Sequence, residues 1–129
     1  MNTWPDHYPV QCPPDDARPA AGVFYRLVDE LPPVDVDAKS HLELKIEGHK
    51  RFRKRKFSDD CIAAGLSIFG QYESVVAKQE LIPALRDKKV ARGDVSGPGL
   101  IKQTGQDADH HTWWRPAGDS DWGMFEVVA

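Results

Sequence analysis

A chain of 129 residues, 40% hydrophobic and 29% charged, can bury one core, which excludes a disordered chain and gives no grounds for several domains. No run approaches the roughly 18 apolar residues of a membrane-spanning helix. The net charge of −3 conceals one basic cluster, Lys50, Arg51, Arg53, Lys54, Arg55 and Lys56, whose removal leaves the rest at −9. That balance excludes a protein that coats nucleic acid over its whole surface.

Residues 1–20 are rich in proline and form an irregular arm, with Trp4, Tyr8 and Val10 expected to hold it against the body, residues 21–129. The N-terminus lacks the basic start and apolar stretch of a signal peptide, so the expectation is a cytoplasmic protein. Cys12 and Cys61 are too few for a disulfide scaffold. They are expected as free thiols, a single bridge being the alternative for a secreted chain.

Residues 22–28 have the β-branched and aromatic content of a strand. Residues 35–45 fit either a short helix or an alternating strand. Residues 50–56 are expected to form an exposed loop anchored by Phe52. The apolar run 61–69 predicts a buried strand or a turn followed by a strand. From Gln71 the spacing is helical, with Tyr72, Val75, Val76 and Gln79 on one side until Pro83. Strands over 90–95 and 100–104 flank a glycine turn, a polar loop leads into residues 110–114, and a last strand falls within 122–128. The expected fold is a compact α+β domain, mainly antiparallel strands with one or two helices.

Residues 110–116 concentrate two of the five histidines and two of the four tryptophans. A strand turns Trp113 and Trp114 to opposite faces, which leaves one available beside Arg115 as an interaction anchor. The competing expectation packs both. The candidate binding surface is therefore His110, His111, Trp113, Trp114 and Arg115, with Tyr25 nearby, for a protein partner or a small ligand and without a cofactor. His110 and His111 are adjacent and each cysteine stands alone, which is no metal signature. A Cys61–histidine nucleophile is disfavoured by the apolar run that follows. The basic cluster offers a weaker alternative, contact with nucleic acid.

Three segments support a further alternative: Arg26 in Val23-Phe24-Tyr25-Arg26, Ser67 in Gly65-Leu66-Ser67-Ile68-Phe69, and Glu126 in Phe125-Glu126-Val127-Val128. In this order they resemble the ADP-ribosyltransferase fold, and the layout is also similar to that of small bacterial proteins. The first resemblance implies an enzyme that cleaves NAD, with Arg26 on its phosphates and Glu126 stabilising the ribosyl cation.

Overall fold

The computed structural model describes residues 3–33 and 38–129. Among the described residues, seven strands form one sheet: β1 (Arg18–Pro19), β2 (Val23–Val28), β3 (Leu66–Phe69), β4 (Lys89–Asp94), β5 (Leu100–Gln103), β6 (His110–Trp114) and β7 (Phe125–Val127). Their order is β1-β5-β6-β3-β2-β4-β7, every neighbouring pair antiparallel. Helices α1 (His41–Ile46), α2 (Asp60–Ala64) and α3 (Tyr72–Leu81) accompany it, and a 3-10 turn follows at Pro83–Leu85. The fold is α+β, as the strand-rich pattern predicts. No helix among the described residues is long and apolar enough to cross a membrane.

Local chemistry decides the two ambiguous stretches. Residues 35–37 lie outside the described residues. Beyond them helix prevails, because Ser40 and Glu43 form a reciprocal cap and Leu42 and Leu44 turn inward. The apolar run is divided: Asp59 Oδ1 accepts from the backbone N–H groups of Cys61 and Ile62, which starts α2, and β3 begins only after Gly65.

Strand alternation builds two unlike faces. On one, Phe24, Val28, Leu66, Ile68, Ala91, Ile101, Trp113 and Phe125 form the main core, against which Trp122 and Met124 pack. The helical face is covered in two groups. Val75 of α3 packs on Phe69 and Val90. Leu42 of α1, Ala64 of α2 and Cys12 of the arm gather round Trp114.

Trp4 and Tyr8 pack against the Trp114 group, whereas Val10 is 94% exposed. The expectation of free thiols is corrected: Cys12 and Cys61 form a disulfide. The pairing depends on tertiary placement, since the partners lie 49 residues apart. The arm and α2 both pack on Trp114, whose Nε1–H donates to the Cys61 carbonyl at 2.8 Å.

Candidate functional site

The residues 110–115 do not make a shared surface. Alternation along β6 sends Trp113 into the main core and Trp114 to the helical face, and both are buried, at 2% and 0% exposure. The expected exposed tryptophan is therefore absent. Arg115 is buried too, stacked over Trp113 and Trp122 and paired with the Asp119 carboxylate at 3.0 Å. It locks the loop after β6 to the core. His111 packs edge-on against Phe24, and Tyr25 against Tyr72 of α3. Of the whole set, His110 alone lines a cleft described below.

That cleft, about 670 Å³, opens on the helical face of the sheet. Its floor comes from Arg26 and Leu27 of β2, Ser67 and Phe69 of β3, and His110 of β6. One wall carries Ser40, His41, Arg51, Phe52, Arg55 and Lys56, continuing to Ile62 of α2, and the other carries Lys78 of α3, Leu85 and Lys88. The cleft thus occupies the gap between the two groups of helices. A volume in the range of about 300–1,000 Å³ is usual for small-ligand sites.

The space exists because β2 and β3 part. They share a single register pair, Tyr25 with Phe69. Alternation assigns Arg26 to the Phe24 face, yet its Nη1 reaches across the parting to the Ser67 carbonyl at 2.8 Å. The guanidinium so stands in for the missing ladder bonds and is held at 9% exposure beside the cleft.

Charge in the cleft is one-sided. Seven lining residues are Lys or Arg, namely Arg26, Lys39, Arg51, Arg55, Lys56, Lys78 and Lys88, against one carboxylate, Asp59. Asp59 is engaged in capping α2. Lys39 and Lys88 pair with Glu47 and Asp29. No ion pair among the described residues involves Arg51, Arg55, Lys56 or Lys78. The basic segment is exposed, and three of its side chains, Arg51, Arg55 and Lys56, border the cleft. Phe52 anchors it as expected, 3% exposed, with Arg51 and Arg55 over its ring at 5.5 and 5.0 Å. Lys50, Arg53 and Lys54 lie outside the lining.

Two histidines read this field. The His41 ring stacks on Phe52 at 4.6 Å and keeps an open edge. Burial first, then Arg55, Arg26, Arg51 and Lys88, push its pKa down to about 4. Burial likewise lowers His110, which Lys78 and His111 reinforce while the Thr104 carbonyl and Asp107 act against it. His110 Nε2 lies 3.0 Å from Ser67 Oγ, and Nδ1 lies 3.0 Å from the Thr104 carbonyl oxygen.

The three residues that carry the ADP-ribosyltransferase resemblance are divided. Arg26 and Ser67 meet in the cleft; Glu126, on the edge strand β7, is outside its lining and pairs with Arg92 at 3.3 Å. Among the described residues, no group of three or more His, Cys, Asp or Glu could hold a metal ion. His41, Lys78 and Lys88 were not singled out by sequence reasoning, and nothing in their local spacing marks them. Comparison with family models, curated proteins and solved structures finds no match to this chain.

Proposed function

We propose that the protein binds a small phosphate-bearing ligand, of nucleotide size, in the cleft between the two helix groups. The observation that carries this is the set of four basic side chains, Arg51, Arg55, Lys56 and Lys78, that line the cleft without an ion pair among the described residues, while its one lining carboxylate, Asp59, caps α2. Guanidinium groups fork phosphate oxygens, and a concave low-dielectric wall strengthens their attraction. Three of the six residues of the basic cluster line the cleft, which favours a compact anion over an extended nucleic acid. Trp113 and Trp114, expected to anchor a protein partner or a small ligand, are buried.

Titration calorimetry with ADP at low salt tests the reading. Saturable binding is expected, weakening as ionic strength rises. The double variant Arg51→Ala/Arg55→Ala should lose at least about tenfold in affinity, about 1.4 kcal/mol. Lys50→Ala/Lys54→Ala, outside the lining, should bind as the wild type does. No binding at millimolar ADP, or equal losses in both doubles, would sink the proposal.

NAD is the second reading, favoured by the meeting of Arg26 and Ser67 in one cleft. Release of nicotinamide, abolished in Arg26→Ala, would support it; NAD left intact by the pure protein ends it. The Cys12–Cys61 bridge supports an oxidising compartment rather than the cytoplasm first expected.

A further inference from the structure

We propose that Ser67 and His110 are a nucleophile–base pair that hydrolyses a phosphoester or phosphoanhydride of the ligand held in the cleft. The inference rests on the anion-binding reading above and adds chemistry to it.

His110 Nδ1 faces two oxygens of Thr104, the carbonyl at 3.0 Å and Oγ1 at 3.1 Å. The carbonyl can only accept, and the hydroxyl also accepts when its own proton goes to Thr112 Oγ1 at 2.7 Å; the pair proposed here has this arrangement, with the proton on Nδ1. Nε2 then presents a lone pair, and the Ser67 hydroxyl, 3.0 Å from it, is the donor. A hydroxyl donating to an imidazole whose far nitrogen is held by a third group is the arrangement nucleophilic catalysis requires. Here a main-chain carbonyl takes the place more often filled by a carboxylate. Its residue is itself braced, since Thr104 Oγ1 and Thr112 Oγ1 meet at 2.7 Å in a buried contact.

Ser67 is the accessible member. It is the exposed position of β3, between buried Leu66 and Ile68, and it lines the cleft. Its carbonyl is held by Arg26 Nη1, which fixes the backbone behind the nucleophile. The titratable and charged groups around His110 are Lys78 from α3, His111 on its own strand and Asp107 from the preceding loop, with Arg26 of β2 on the far side of Ser67. Arg51, Arg55 and Lys78 line the same space and can meet charge on a transferring phosphoryl group.

The step balances with water as the only co-reactant. Ser67 Oγ attacks phosphorus and its proton passes to His110 Nε2. The bond from phosphorus to the leaving oxygen breaks, and that oxygen takes the proton from Nε2. Water then attacks the phosphoserine while Nε2 accepts its proton. The phosphorus–Oγ bond breaks, Ser67 recovers the proton, and phosphate departs.

Diisopropyl fluorophosphate, which phosphorylates activated serines, reads the pair without knowledge of the substrate. Intact mass and peptide mapping of the full chain should show one adduct, on Ser67, and none in Ser67→Ala. His110→Gln, with its folding checked by circular dichroism, should slow labelling by about 10² or more. The wild-type rate should fall as acid protonates His110, below the ordinary histidine range, whereas the His110→Gln rate stays flat. A merely structural hydrogen bond would not give that profile. Failure to label Ser67, or equal rates in wild type and His110→Gln, overturns the proposal. ADP calorimetry on the wild-type protein separates the two readings: ADP binding without labelling of Ser67 refutes the pair and leaves the anion site standing. Labelling without ADP binding removes the anion site and, with it, the phosphate substrate proposed here.

Discussion

On the proposed anion-binding reading, His41 couples the charge of the cleft to its ligand. Its ring is neutral at pH 7, because burial and then Arg55, Arg26, Arg51 and Lys88 hold the pKa at about 4. A bound anion offsets those cations and lets the imidazole take up a proton, so binding and protonation assist each other. Affinity for sulfate, whose charge is constant in this range, should therefore rise as the pH falls from 6.5 toward about 4. Calorimetry across that window checks it, and His41→Gln should flatten the dependence. The sign for folding is opposite. The unfolded chain protonates His41 near 6.5 while the folded protein resists until about 4, so this stabilising contribution is complete above 6.5 and is lost as the pH falls through that interval. At this scale the sequence marks Arg26, Ser67 and His110 by residue type and resemblance, but not that they meet. His41 and Lys78 carry no local signature. They enter the site only because α1 and α3 flank the same gap.

Elements with strong local signals are legible from the chain. The alternation of β2, the helical spacing of α3 and the glycine turn before β5 all appear where the pattern predicts them. The run 61–69 allows a strand throughout or a turn followed by a strand, and the Asp59 cap and Gly65 decide for the second, with one turn of helix before β3. Gly65 is required by contact. A Cβ there would collide with Thr112 Cγ2 and stand 3.1 Å from both the Trp113 carbonyl and Trp114 Nε1. Gly65→Ala should accordingly cost about 1–3 kcal/mol by overpacking, measured as a lower urea midpoint with an unchanged slope. An unaltered midpoint would mean that β6 yields more easily than its burial implies.

Across the whole molecule, the disulfide joins the arm to α2 and closes a loop spanning 49 residues. Loop-closure entropy assigns such a link up to about 4 kcal/mol. Reduction with dithiothreitol, or Cys12→Ser, should lower the melting midpoint clearly, and the arm should become sensitive to protease. An unchanged midpoint would show that Trp4 and Tyr8 hold the arm without it. The strand order has a separate bearing on self-association. Of the two outermost strands, β1 has two residues, one of them Pro19, which has no N–H to offer; β7 has three and carries the Arg92–Glu126 ion pair on its flank. Neither border is a long flat template onto which another chain could add a strand, so the sheet resists fibrous stacking even at high protein concentration.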